Sequence, residues 1–390
     1  MQKTENKTAL VWFRNDLRVH DNTVLHEACT SYERVIGVYC FDPRLFNDTL
    51  FGFKKTEKFR AHFLLQTLHD LKIQLEAINI TLFTYISLPE HIIPKLCKDY
   101  DVNSVIFQKE WTQEERNVEL EVATALNNSD VELRSFYNQF LFHPDDIDIN
   151  ADKVPNVFTA FRKKLEKYSS VRETLQPQKK DPKNLIPNNT TLPSLNNLGF
   201  DDPTPHTHSA FPFSGGETQA LQRLEHYFFE TKKVGYYKKT RNGLLGTDYS
   251  TKFSPWLANG SLSPRTVYWK VKQFEREFFK NESTYWVIFE LIWRDYFKYI
   301  SLKYGNKIFQ LGGILERTYE WSSNETQVKN WIEGNTREPF VNANMMELKE
   351  TGWMSNRGRQ NVASYFAKEL HLDWRIGAAY FESLLLDYDV

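Results

Sequence analysis

Residues 9–41 read ALVWFRNDLRVHDNTVLHEACTSYERVIGVYCF. Two runs of β-branched and aromatic residues, ALVWFR and RVIGVYCF, read as strands separated by a polar turn and a longer segment. The alternation continues through NITLFTY, SVIFQ and VELRSFY, with helix-like stretches such as Glu57 to Ala77 and Thr112 to Asn127 between them. That is a βαβ pattern, and it predicts an α/β domain with a parallel sheet covered on both faces over roughly residues 8–140. Ligands of such sheets sit at the carboxyl ends of strands. The turn Arg14 to Arg18, after the first strand, and Gln108 to Glu110, after the fourth, are therefore candidate ligand positions. No G-x-G-x-x-G follows the first strand, which argues against ordinary dinucleotide binding in this domain.

From about Asp145 to Gly216 the chain becomes rich in Pro, Asn, Asp and Ser, the composition of a long surface connector, interrupted by a helix-like piece near Val157 to Lys167. Beyond it the strand signals stop. TQALQRLEHYFFE, SPRTVYWKVKQFEREFF, STYWVIFELIWRDYFKYISLKYG and TQVKNWIEG all carry helical periodicity, which predicts an all-α second domain. The expected division is 1–140, a connector 141–215, and 216–390. A length of 390 residues and 46.1 kDa agrees with two domains rather than a single core. A net charge of -1 gives no global argument for a polyanionic partner, so a nucleic-acid surface would have to be a local patch. The 10 Trp, 19 Tyr and 29 Phe suit either a large helical core or an aromatic-lined pocket. Cys29, Cys40 and Cys97 lie far apart without metal-type spacing and read as core thiols in a reducing compartment, with no metal site. No run of about 18 apolar residues occurs and the N-terminus is polar, so the expectation is a soluble cytoplasmic protein with no membrane partner.

Four stretches of the second half carry candidate chemistry. In DYSTKFSPWLANGSLS (248–263), Ser250, Thr251, Lys252 and Ser254 precede a helix opened by Pro255, and Pro264 opens another close by. Hydroxyls, one ammonium and free backbone N–H groups there suit a diphosphate; an ordinary Ser-capped helix start is the alternative. KKVGYYKKTRNG interleaves Lys232, Lys233, Lys238, Lys239 and Arg241 with Tyr236 and Tyr237, the composition of a single-strand nucleic-acid track or of a solvated loop. YWVIFELIWRDYFKY (285–299) places Glu290 and Arg294 as an i, i+4 pair with Trp293 between them on an otherwise apolar helix. WMSNRGRQNVAS and LLLDYDV, within 353–390, put Asn356, Arg359 and Gln360 on one face of a helix beginning near Trp353, with Asp387 and Asp389 as acceptors for Arg359. No Ser-His-Asp order, H-E-x-x-H or Walker loop is present.

Taken in order, VWFRNDLRVHDN, STKFSPWLANGSLSPR, FELIWRDYF, MSNRGRQNVAS, LDWR and LLLDYD resemble the cryptochrome/photolyase family, specifically its DASH branch, across essentially the whole chain. The resemblance implies a Rossmann-like antenna domain, a connector, and a helical domain holding FAD in a U shape. It implies an antenna folate, 5,10-methenyltetrahydrofolate, near Glu110. Tyr237 and Ser250, Thr251, Lys252, Phe253 and Ser254 would surround the FAD diphosphate, with Arg294, Asn356, Arg359, Asp387 and Asp389 lining the flavin and Arg359 paired to Asp387. Glu290 and Trp293 match the positions that meet a flipped pyrimidine dimer, with Asn356 and Gln360 beside them where the (6-4) photolyases carry histidines. Trp374 and Trp321 match the middle and outer members of the branch's electron-transfer chain. The implied activity is that of a blue-light photoreceptor and deoxyribodipyrimidine photo-lyase, a carbon–carbon lyase that splits cyclobutane dimers in single-stranded DNA. Its partners would be DNA, with RNA as a further nucleic acid, and the protein would be a monomer.

The family pattern continues past Asp-Tyr-Asp with a glycine- and tryptophan-rich stretch that supplies an asparagine at flavin N5 and the innermost tryptophan. The sequence ends at Val390, so the expectation is a pocket lacking one wall and an electron path lacking its inner member. Asn342 stands where relatives carry aspartate. Two other readings stay open: a non-repairing light sensor or nucleic-acid-binding cryptochrome, and a truncated product without FAD.

Overall fold

The computed structural model describes residues 4–147 and 149–390. Its described residues form one parallel sheet of five strands, β1 (Thr4–Trp12), β2 (Tyr32–Phe41), β3 (Thr81–Ile86), β4 (Val102–Gln108) and β5 (Glu132–Phe136), in the order β3-β2-β1-β4-β5. Leu10 is level with Ile36 on one side and Val105 on the other, so β1 is the centre of the sheet. Successive side chains of a strand point to opposite faces. Ala9, Val11 and Phe13 accordingly pack under α1 (Thr23–Ser31) and α2 (Lys58–Ala77). Leu10 and Trp12 pack under α3 (Pro89–Asp99) and α4 (Gln113–Leu126) on the other face. Each fully buried aliphatic side chain contributes about 1.5–3 kcal/mol, which is why continuous apolar runs form central strands.

The connector carries one long helix, α5 (Phe158–Tyr168), and then closes the exposed edge of the sheet. Asn188 donates to the Leu82 carbonyl at 2.8 Å, and the Thr84 N–H donates to Thr190 Oγ1 at 3.1 Å. Just before these, Asn184 accepts from the Val35 N–H at 2.9 Å and donates to the Val35 and Asn79 carbonyls. Short polar side chains thus satisfy backbone groups that an unpaired edge would leave free.

The second domain is helical: α6 (Glu217–Glu225), α7 (Tyr237–Thr240), α8 (Ser254–Ala258), α9 (Pro264–Glu277), α10 (Glu282–Tyr304), α11 (Glu325–Ile332), α12 (Pro339–Thr351), α13 (Asn356–Ser364) and α14 (Trp374–Leu384). The central helix α10 starts at a capping box of Asn281 and Thr284 and buries Leu291, Ile292 and Tyr299 in the main core. On the same helix, the Asp295 carboxylate accepts the Leu141 and Phe142 N–H groups at 3.0 and 2.8 Å, which fixes the chain leaving the sheet. α13 begins three residues later than the spacing predicts, because the Ser355 side chain accepts from the Gly358 N–H and caps it. Asn342 bridges the turn before α12, accepting from the Thr336 N–H at 2.8 Å and donating to the Thr336 carbonyl at 2.9 Å, the second of which an ionised aspartate could not do.

The turn Arg14 to Arg18, expected as a ligand position, joins the two domains instead. Arg18 is buried and donates to the carbonyls of Asp21, Asn138 and Gly260, the last at 2.7 Å. Glu217, at the start of α6, accepts the Val19 and His20 N–H groups at 2.8 and 3.1 Å, and Asp21 pairs with Arg265 at 2.7 Å. Ser263, capping α9, donates to the same Asp21 carboxylate. The second helix start near residue 264 therefore serves the domain junction and does not join the first at a phosphate.

Candidate cofactor pocket and its surroundings

A cavity of about 260 Å³ lies between α10, α13 and the segment leading into α8. Of the residues singled out from sequence it brings together Tyr237, Ser250, Thr251, Lys252, Phe253, Ser254, Glu290, Arg294, Asn356, Arg359 and Asp387. Arg241, Tyr249, Trp353 and Met354 also line the cavity, beside the apolar Leu257, Val267, Val287 and Leu291; none was expected as a wall, although Arg241 was named in the basic stretch and the others stood inside quoted ones. Arg359 pairs with Asp387 at 2.9 Å and donates Nε to the Met354 carbonyl at 2.9 Å.

Lys252 is the unusual member. Its backbone is left-handed at φ 64°, the residue is 2% exposed, and its ammonium has no hydrogen-bond partner among the described residues. The Tyr249 and Trp353 rings lie 3.5 and 4.6 Å from Nζ. Burial lowers its pKa to about 7, opposed by the Glu347 carboxylate. A buried ammonium without an acceptor is an incomplete arrangement that an anionic ligand group would complete.

The loop carrying Lys252 is fixed from below. Buried Arg223 donates to the carbonyls of Thr247, Ser250 and Thr251, each at 3.1 Å, and to Asp248 at 2.7 Å. Burial raises Asp248, but Lys233 and Arg223 outweigh it and hold the carboxyl at about 2.

The expected Glu290–Arg294 pair does not form. Glu290 pairs with Arg241 at 2.9 Å, because α7 packs against α10 on the pocket side. Burial raises the Glu290 pKa, and the Arg241 charge limits the rise. Arg294 instead donates to Asp389 at 2.8 Å and to the carbonyls of Gln139 and Leu257 at 2.7 and 2.9 Å. Lys298 adds a second bond to Asp389 at 2.6 Å. Asp389 therefore stands behind Arg294 rather than among the cavity walls; burial alone would raise its pKa, but Arg294 and Lys298 keep it below the usual carboxylate range.

Other predicted residues lie outside the cavity walls. Trp293 stacks on Phe158 with centroids 3.5 Å apart and planes at 8°. Gln360 is exposed and accepts from Arg357 at 2.9 Å. Glu110 sits at the carboxyl end of β4, accepting from Gln108 at 2.8 Å; burial raises its pKa to about 7, against the pull of Arg14. Trp374 opens α14 and donates to the Leu311 carbonyl at 3.1 Å. Trp321 lies 5.5 Å from Tyr319, and the backbones of Ser322 and Leu372 pair, which brings the two tryptophan segments side by side.

Residues 9–183 match the family model described as DNA photolyase, and residues 286–390 match that of the FAD binding domain of DNA photolyase. The chain is 45% identical over 390 residues to cryptochrome DASH of Danio rerio, covering 99% of this chain and 75% of that one. It is 46% identical to cryptochrome DASH of Xenopus laevis, with 99% and 74% covered. The chain belongs to the DASH cryptochromes. A solved structure of a Synechocystis sp. PCC6803 cryptochrome superposes with a TM-score of 0.94 at 42% identity, over 100% of this chain and 80% of that one. The DASH fold, an α/β domain followed by a helical FAD-binding domain, is the architecture described above, and FAD is the cofactor that this membership supports. The cavity suits such a ligand: an anion would complete Lys252, and the Arg359–Asp387 pair offers a donor and an acceptor to a polar planar edge. Among the described residues, no helix is long and apolar enough to cross a membrane.

Proposed function

We propose that the protein is a light-dependent flavoenzyme of the photolyase type, acting on cyclobutane pyrimidine dimers in single-stranded DNA. The observation that carries this reading is the convergence of Lys252, the Arg359–Asp387 pair, Asn356 and Glu290 on one cavity. Bound FAD would supply the light-driven electron. Tyr237 and Ser250 through Ser254 would hold its diphosphate, with Lys252 as counter-charge; Arg294, Asn356, Arg359 and Asp387 would orient the flavin, and Asp389 would brace Arg294. Glu290, kept beside Arg241, would present a carboxyl group to the polar edge of the turned-out dimer. Asn356 would donate from the neighbouring helix start, and Gln360 would lie at the rim.

The antenna and electron-path assignments follow from the same reading. Glu110, a half-buried carboxyl at the junction of the domains, would take the donor groups of a folate such as 5,10-methenyltetrahydrofolate. Trp374 and Trp321 would form the outer part of an electron path to the surface. The division 1–140, 141–215 and 216–390, a monomeric state, a cytoplasmic location and binding of RNA beside DNA belong to the proposal as well.

One observation favours a second reading, a light sensor or nucleic-acid-binding protein without repair: a face of Trp293, the expected stacking partner of the dimer, is covered by Phe158. Repair assays on dimer-bearing single strands decide between them. Dimer loss that needs light and falls in Glu290→Gln supports repair; binding without light-dependent dimer loss refutes it.

A further inference from the structure

The basic stretch that begins at Lys232 meets aromatic rings from another part of the chain. Phe278 and Phe279, at the carboxyl end of α9, are 42% and 41% exposed, and Tyr236 is 59% exposed. The two phenyl rings are backed by buried Phe274, at centroid distances of 5.1 and 5.2 Å. Phe279 also lies on the backbone next to Tyr236, since a Cβ added at Gly235 would be 2.6 Å from its ring. Lys232 Nζ stands 4.0 Å from the Phe278 centroid. Among the described residues, Lys232, Lys239, Arg276 and Lys280 have no carboxylate partner, whereas the neighbouring Lys233 and Lys238 are paired with Asp248 and Glu282. Of the other carboxylates nearby, Glu230 and Glu275 are engaged by His226 and Lys272, which leaves Glu277, an acceptor for Gln273 at 2.8 Å, against four cations.

That surplus of charge selects the occupant of the exposed rings. A second copy of the chain would set these cations against one another, and a bilayer anchor needs rings that project rather than rings backed by the core. A single strand needs what is present: aromatic surface for its bases and cations for its phosphates. We propose that Phe278, Phe279 and Tyr236 form a stacking platform for undamaged bases of a single strand, with Lys232, Lys239, Arg276 and Lys280 on its phosphates. The platform immediately precedes α10, and Glu290 of the cavity lies about 12 Å further along that helix. Tyr237, next in the chain to Tyr236, lines the cavity. The neighbours of a nucleotide held in the cavity are therefore within reach of the platform. The inference rests on the nucleic-acid reading above and adds where the flanking strand is held.

The test measures fluorescence anisotropy of the full chain with bound FAD, in the dark and at several salt concentrations, on a labelled single strand of about 16 nucleotides with one central thymine dimer. Phe278→Ala/Phe279→Ala, with unchanged flavin absorbance and far-UV circular dichroism, is expected to bind about tenfold more weakly with an unchanged salt dependence, while Phe278→Tyr/Phe279→Tyr retains the affinity. Lys232→Ala/Lys280→Ala is expected to lower the slope of log affinity against log salt by about 1.4. Binding by the double alanine variant of the phenylalanines as tight as that of the unsubstituted protein overturns the platform and leaves the nucleic-acid reading intact. Loss of binding to phosphatidylserine vesicles in that variant, with strand binding unchanged, assigns the face to a lipid surface and also overturns it. Failure of the unsubstituted protein to bind the strand overturns both the platform and the reading on which it rests.

Discussion

At the scale of single residues, the cavity depends on charges whose partners lie outside the protein or on distant segments. Lys252 is the first case. With its pKa lowered to about 7 by burial, it is largely neutral above that pH in the ligand-free chain, so binding an anion at higher pH requires uptake of a proton. FAD affinity is therefore expected to fall as pH rises from 7 toward 9, and Lys252→Met is expected to flatten that slope; titration of FAD fluorescence at several pH values measures both. The linkage has the opposite sign for the empty protein: the folded state binds fewer protons than the unfolded chain between pH 7 and the ordinary lysine value of 10.5, so stability rises with pH through that window. Asp389 supplies the second case. Asp389→Ala removes the acceptor shared by Arg294 and Lys298, both of which keep backbone carbonyl partners, and because Asp389 is itself exposed, about 1–2 kcal/mol of stability should be lost in urea denaturation. Its folded pKa is depressed, so its contribution is present above the unfolded carboxylate value and disappears as pH falls through the folded one. Glu290→Gln should leave flavin content unchanged while weakening lesion binding by about 1–3 kcal/mol, measurable by competition with dimer-free DNA. Much of this was legible, because Glu290 stands out on an apolar helix, Arg359 lies in a dense polar run and Asp387 belongs to the acidic pair that follows α14. Arg241 as the partner of Glu290 was not, since sequence spacing favours i, i+4 neighbours and says nothing about a cation brought across from another helix.

At the scale of elements, local rules predicted most of what formed. Continuous apolar runs became central strands, and α2, α4 and α5 each begin and end within a residue or two of the stretches read from periodicity. The misreadings occur where an element's terminus has a tertiary partner. Ser263 looks like a phosphate-binding helix start, yet its hydroxyl faces Asp21 of the other domain. The Arg14 to Arg18 turn looks like a ligand loop, yet Arg18 is enclosed by three backbone carbonyls. Gly260 lets these elements meet: its backbone is left-handed at φ +74°, and a Cβ there would lie 1.9 Å from the Asn15 carbonyl. Gly260→Ala must therefore push the two domains apart at their docking turn and should cost about 3 kcal/mol or more. A lowered Tm together with faster proteolysis in the connector would show it; an unchanged Tm would contradict the docking role.

At the scale of the whole molecule, the sheet and the helical domain share one polar junction that also braces the cavity. Arg294 lines the cavity and bonds to the Gln139 carbonyl, while the Gln139 side chain approaches Glu110 at 3.5 Å. The candidate antenna carboxyl and the candidate flavin wall are thus two ends of one hydrogen-bonded chain. Family membership could be recognised in the sequence because its motifs are specific and ordered; this junction could not, since it joins residues 110, 139, 294 and 389, which share no local pattern. The central claim is that the cavity binds FAD and that light acts through it. The absorption spectrum of the purified 390-residue chain, before and after blue illumination with a reductant, tests it directly. A structured flavin band near one FAD per chain that bleaches on illumination is expected; a colourless protein that takes up no added FAD would show that the cavity is not a flavin site.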